Sequence, residues 1–346
     1  MEVFEAVRII LTFGLAFLLA LILEPFAFRI IGKFKKVNIR DEKSAPIFHS
    51  LHKDKSDTPT MGGVIIWSAV AILAILFWLM DAVFGGFGTY FNFISRPETY
   101  LPLFALLAAA GVGLVDDLFG IWRRGPNGGG LSVKQKLIIY LGLGLVGAWW
   151  FFFRLGWTEL YVPLVGTFDI GAWYIPFFIF TIVASAFSAN ETDGLDGLLS
   201  GTIFFGFAAL AVVAFVTHRY DLAAMSAAIL GSLLAFLWFN LHPAKFFMGD
   251  TGSMSLGITL GVMAMLTNTA LFLPFFAFIP MMETITVIIQ LTSKKLRGKK
   301  IFLSTPIHHH FEAIGWPETR VTMRFWIING VTTALGLALY LLARFA

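Results

Sequence analysis

Apolar stretches of about twenty residues recur from one end of this chain to the other, and nothing else limits its fold so severely. In hydrocarbon an unpaired backbone N–H or C=O finds no water, so a spanning segment must close its hydrogen bonds internally, as a helix does. Composition agrees. Of the 346 residues, 58% are hydrophobic and 13% charged, and mean hydropathy is +0.81, whereas soluble domains are about a quarter charged. The chain is expected to be an all-α, polytopic integral membrane protein, forming one transmembrane domain over residues 1–346. It contains no cysteine, which removes disulfides and thiolate chemistry.

Ten spans are predicted, with approximate cores at 7–27, 62–80, 101–122, 134–153, 172–190, 199–217, 222–241, 254–270, 275–292 and 321–343. The first follows Glu2, Glu5 and the single basic residue Arg8, with no small-residue cleavage site after it, and reads as a retained helix. Most of the 25 Lys and Arg residues fall in segments 28–61, 123–136, 242–253 and 293–324. These share one side if the spans alternate. The basic side is the cytoplasmic one, which puts both termini outside the cytoplasm. With the bases gathered in loops, the pI near 9.2 does not call for nucleic acid as a partner. On the other side, segment 154–171 alternates enough to predict a short hairpin.

Five polar groups collect at the basic side. Asp116 and Asp117 end an apolar run that begins at Leu101. About fifteen residues of helix, roughly 22 Å, precede them in a layer ~30 Å thick. Either they serve divalent-metal or phosphate chemistry, or the helix ends at Val115 and they are solvated. Arg123, Arg124, Lys134 and Lys136 follow. The run Asp57-Thr58-Pro59-Thr60-Met61-Gly62-Gly63, with Lys53 and Lys55 upstream, permits close backbone approach to a ligand. Asn190-Glu191-Thr192-Asp193-Gly194-Leu195-Asp196-Gly197 offers carboxylates and amides to a nucleotide. In the segment from Asn240 to Ser253, Phe246 or Phe247 is placed to stack on a base. There Asp250 opens the eighth span, with Thr251 or Ser253 as its expected cap. His308, His309 and His310 are consecutive and cannot share a helical face; one or two are expected to point at a phosphate. A transporter would hold such groups near the bilayer midplane. Here they line the helix ends, which favours an enzyme with a water-soluble phosphorylated donor and a lipid acceptor.

Assembled, these residues resemble the polyprenyl-phosphate N-acetylhexosamine-1-phosphate transferase superfamily, and within it the phospho-N-acetylmuramoyl-pentapeptide transferase (MraY) family. The resemblance runs nearly end to end. It rests on Thr58 to Gly63, Asp116-Asp117, Thr192 to Leu198, Phe247 to Ser253, Pro306 to Glu312 and Gly315-Trp316-Pro317-Glu318. The last two separate this family from its GlcNAc-transferring relatives. The resemblance implies that undecaprenyl phosphate attacks the β-phosphate of UDP-MurNAc-pentapeptide, giving lipid I and UMP with Mg²⁺ as cofactor. It also implies a homodimer in the bacterial cytoplasmic membrane, with its cleft toward the cytoplasm.

On the same basis Asp116, Asp117, Asp250 and His308 are the expected catalytic residues. Asp250 ligates the metal, Asp117 supports it or the diphosphate, and Asp116 orients or deprotonates the lipid phosphate. Lys55, Thr58, Lys136, Asn190, Asp193, Asp196, Asn240, Phe247, His309 and His310 are the expected substrate-binding residues, with Lys53 the alternative to Lys55. Two features depart from the family pattern: Asp57 stands where a glycine is usual, and the turn Pro126-Asn127-Gly128-Gly129-Gly130 replaces a lysine-richer one. The competing readings are a GlcNAc-1-phosphate transferase and a transporter of an anionic metabolite.

Overall fold

A computed structural model describes residues 2–33, 58–125 and 129–345. Lys53, Lys55 and Asp57 lie outside the described residues, as does the turn at 126–128. The elements in order are α1 (Glu2–Ile31), α2 (Val64–Phe84), a short α3 (Gly86–Phe91), α4 (Pro97–Ile121) and α5 (Val133–Trp149). A π turn (Trp150–Arg154) and a hairpin of β1 (Glu159–Val162) and β2 (Gly166–Asp169) follow. Then come α6 (Tyr174–Thr192), α7 (Leu198–Val216), α8 (Tyr220–Asn240), α9 (Asp250–Leu266), α10 (Leu273–Phe276), α11 (Phe278–Arg297), α12 (Ile307–Ala313) and α13 (Glu318–Phe345). Each of the ten apolar stretches is helical. Among the described residues, eight helices are long and apolar enough to cross a membrane, or nine if the bent pair ending at Arg297 is one span. The hairpin pairs Glu159 with Asp169 and Val162 with Gly166.

The bundle is built around α8 and α9. Helix α1 packs on α8, α4 and α6 on α9, and α7 on α8. Residues Thr251 to Leu266 of α9 are all buried. Two of its hydroxyls are satisfied within the helix: Ser255 donates to the Thr251 carbonyl at 2.8 Å and Thr259 to that of Ser255 at 2.6 Å. With apolar lipid outside, such helices associate by close packing over small residues. Gly257 shows this, since a Cβ there would stand 2.7 Å from the Ala189 Cβ of α6.

The ninth apolar stretch is broken. The segments Ala270–Phe276 and Phe278–Arg297 meet at 91°. A break inside a membrane leaves backbone groups unpaired. Asn329 of α13 satisfies them, accepting from the Ile279 N–H at 3.0 Å and donating to the Phe276 carbonyl at 3.3 Å.

The two chain ends lie at the same end of the bundle. Arg8 of α1 reaches Asp221 at the start of α8, and Arg344 of α13 sits over Tyr161 of the hairpin. The Asp116, Asn190, Asp250 and His308 segments are gathered at the opposite end.

Candidate active site

The site is assembled on the first turn of α9. Gly249 precedes that helix with φ +75°, and it has no room for a side chain. A Cβ would stand 2.7 Å from both an Asp117 carboxylate oxygen and the Thr60 hydroxyl. The amides of Asp250 and Thr251 donate to the Asp117 carboxylate at 3.2 and 3.0 Å, and Thr60 donates to it at 3.3 Å. Asp117 therefore caps α9 from α4. This corrects the expectation that Thr251 or Ser253 is the cap. A capping side chain must precede the first helical residue, and both lie inside the helix. Their hydroxyls serve elsewhere: Thr251 donates to the Ala110 carbonyl at 2.9 Å, and Ser253 accepts from Asn190 at 3.0 Å. Helix α4 can come this close because residue 113 is glycine; a Cβ there would stand 2.3 Å from the Asp250 carbonyl oxygen.

Helix α4 runs on to Ile121, so Asp116 and Asp117 are helical and buried rather than solvated beyond Val115. Asp116 accepts from the Leu131 amide, and its other oxygen lies 2.9 Å from the Lys136 ammonium. The same ammonium lies 2.7 Å from Asp250. Asp250 also accepts from the Asn190 amide. Lys136 thus bridges two carboxylates carried by α4 and α9, and Asn190 fixes the second from α6. The Asp193 carboxylate accepts from the Gly249 N–H at 3.1 Å.

These residues line a cleft of about 230 Å³, with Thr60, Ile121 and Leu131 on its walls. Of the two carboxylates that Lys136 bridges, Asp250 is the more open, its side chain 22% exposed against 1% for Asp116. Among the described residues, four carboxylates (Asp116, Asp117, Asp193, Asp250) face one ammonium, so this part of the lining is acidic in excess. Its donors are hard oxygens, the set that Mg²⁺ prefers.

The other expected site residues are distributed around this centre. Asn240 is buried, and both ends of its amide serve the scaffold. It accepts from the Gly197 N–H at 3.1 Å and from Ser200 at 2.9 Å, and donates to the Phe246 carbonyl at 3.0 Å. Asp196 is buried in a second polar group, accepting from the Ala244 N–H at 3.1 Å and lying 2.9 Å from His242. Glu318 accepts from the Asp196 N–H at 2.6 Å. Of the two adjacent phenylalanines, Phe246 is fully buried against Phe236 and Phe239, which leaves the half-buried Phe247 as the stacking candidate. Thr58 lines a separate open hollow with Arg29, Lys33 and Lys245. Thr60 reaches the carboxylates instead.

The three histidines diverge, as consecutive helical residues must. His308 is fully buried, with Nδ1 3.0 Å from Glu283 of α11. His309 is buried with Nδ1 2.8 Å from Glu312. His310 accepts from the Leu303 N–H at 3.3 Å. Among the described residues that line the cleft there is no histidine. Reading the residues alone missed Thr60, His242 and the role of Glu283. Thr60, His242 and Glu318 all stood inside segments singled out in the sequence, but nothing local assigned them these partners.

The chain is similar to known proteins over nearly its whole length. Residues 99–268 match the glycosyl transferase family 4, and residues 55–66 match phospho-N-acetylmuramoyl-pentapeptide-transferase signature 1. A phospho-N-acetylmuramoyl-pentapeptide-transferase of Anoxybacillus flavithermus is 38% identical over 333 residues, which is 95% of this chain and 97% of that protein. The enzyme of the same description from Bacillus subtilis is 36% identical over the same shares, and that from Clostridium novyi is 38% identical over 93% of each chain. Relatives this similar over so much of both chains show that the protein belongs to the phospho-N-acetylmuramoyl-pentapeptide-transferase family.

Proposed function

We propose that the cleft transfers phospho-MurNAc-pentapeptide from UDP-MurNAc-pentapeptide to undecaprenyl phosphate, releasing UMP and leaving lipid I. The observation that carries this reading is the Asp116–Lys136–Asp250 bridge at the first turn of α9. A buried ammonium between two carboxylates, beside a helix N-terminus, is suited to a group that is both anionic and metal-bound.

The residues divide the work by position. Lys136 offers its ammonium to the transferring phosphoryl group. Asp116, across from Asp250, orients the attacking lipid phosphate. A phosphate monoester has its second pKa at about 6, so the nucleophile needs little deprotonation at neutral pH and positioning outweighs base catalysis. Asp250, the more open of the bridged pair, would hold Mg²⁺, with Asn190 fixing its carboxylate. The bound ion would neutralise charge building on the diphosphate as UMP leaves. Asp117 acts chiefly on α9, since both its oxygens already accept backbone N–H groups.

The acceptor reaches the cleft from the bilayer. An apolar cavity of about 220 Å³ lies between α6, α9 and the broken helix, lined by Phe177, Ala184, Leu260, Pro274 and Pro280. It includes Ser188 and Ala189, the residues just before Asn190. An isoprenoid chain lying there would bring its phosphate toward the carboxylates. The excess of Lys and Arg in the loops at this end supports a cytoplasmic orientation for the cleft.

The test is release of UMP by the purified protein from UDP-MurNAc-pentapeptide and undecaprenyl phosphate, with and without Mg²⁺. Equimolar lipid product in the presence of Mg²⁺ is expected. UMP formed from UDP-GlcNAc alone would overturn the donor assignment.

A further inference from the structure

Glu283 is fully buried in α11 and takes no part in lining the cleft. A carboxylate enclosed in a membrane helix is costly without a cation, and such groups are retained with a named partner. Its partner is His308 of α12. One Glu283 oxygen lies 3.0 Å from Nδ1 of His308, and the His308 backbone N–H points to the same oxygen at 3.4 Å. The other side of the imidazole is aimed at the cleft loop. A Cβ on Gly194 would stand 2.3 Å from His308 Nε2, so ring and loop are in direct contact. Nε2 is buried and has no hydrogen-bond partner among the described residues. Next to Gly194, the Asp193 carboxylate holds the Gly249 N–H, one residue before Asp250. A continuous line of contacts therefore runs from α11 through His308 and the Asp193-Gly194 loop to the start of α9.

We propose that Glu283 is a positioning residue for the transfer reaction: by its ion pair it holds a charged His308 imidazole beneath Gly194, and this buried pair fixes the loop that carries Asp193 to the cleft. The inference rests on the transferase reading above. The charge belongs where it is, because the facing groups are acidic: Glu283 from α11, Glu191 from the end of α6 and Glu312 on the same helix. The His309 ring is the other titratable neighbour, its centroid 4.0 Å from that of His308. Burial disfavours the imidazolium, but the Glu283 carboxylate outweighs it and raises the His308 pKa above its ordinary value. A raised pKa makes the pair fully formed below the unfolded-state value and lost as pH rises through the folded one.

The experiment is the pH profile of UMP release by the full chain with Glu283→Gln, Glu283→Asp, His308→Asn and the Glu283→Gln/His308→Asn double variant. Glu283→Gln is expected to lower turnover about tenfold or more at pH 8 and to move the alkaline limb to lower pH. Glu283→Asp should restore that limb toward wild type. The double variant should be no more than about twofold worse than the poorer single, because both changes break one interaction. A uniform loss at every pH, or single losses that multiply in the double variant, would overturn the proposal. So would failure of both Glu283 variants to fold, which would make the pair a structural element only. If wild type itself releases no UMP from these substrates, it is the transferase reading that fails.

Discussion

Charge clusters sit at both ends of this bundle, and the contrast between them separates structure from chemistry. At the end that holds the chain termini, a hollow is lined by three carboxylates (Glu5, Glu98, Asp221) and three guanidinium groups (Arg8, Arg96, Arg219). Arg8 lies 3.0 Å from Glu5 and 2.5 Å from Asp221, and Ser95 donates to Asp221 at 2.8 Å. Charge there is balanced, and the ion pairs tie α1 to α8. At the other end, among the described residues, Lys136 alone faces the four acids of the cleft. A balanced cluster is complete in itself. An unbalanced one, buried at comparable depth, is neutralised by taking up protons or by a cation, and the proposed Mg²⁺ would serve as that cation.

The comparison breaks first at Asp250. Asp250→Asn should reduce UMP release about a thousandfold, on the scale of removing a principal electrostatic group, while thermal unfolding in detergent changes little. Wild-type-like turnover would remove Asp250 from the chemistry. Lys136→Met should cost about a hundredfold, since the bridge between Asp116 and Asp250 is lost and each must find a new counterion. Asp117→Asn should lower both turnover and stability, the latter by ~1–2 kcal/mol as for a lost helix cap; a loss of turnover with unchanged stability would assign Asp117 to the metal instead. At the far end, Asp221→Asn should lower the unfolding temperature by several degrees, because it strips buried Arg8 of one partner, yet leave turnover per folded molecule as in wild type. A comparable loss of turnover there would mean that the balanced cluster is not merely structural.

Much of this was legible beforehand, and for a definite reason. A lipid environment permits few backbone solutions, so apolar run length reads directly as helix. The hairpin was readable from alternation in segment 154–171 and occurs as β1 and β2. Asp116, Lys136, Asn190, Asp193 and Asp250 could be named because polar residues at helix ends stand out against 58% hydrophobic sequence. Asn240 and the histidines were equally conspicuous, but conspicuousness does not distinguish a ligand from a strut. Asn240 spends its amide on two backbone groups and the Ser200 hydroxyl, and His308 is closed off beneath Gly194.

The amino-acid sequence by itself determined the helical membrane class, the end at which polar motifs gather and the family. Each depends on local composition or contiguous motifs. Only the tertiary structure decided which acid caps α9, which carboxylates share Lys136 and what faces Glu283. Those pairings join Thr60 to Asp117 across 57 positions and Asp117 to Thr251 across 134. They exist because Gly113 and Gly249 leave room for α4 and α9 to meet. A glycine declares that space is available, and only packing shows which neighbour fills it.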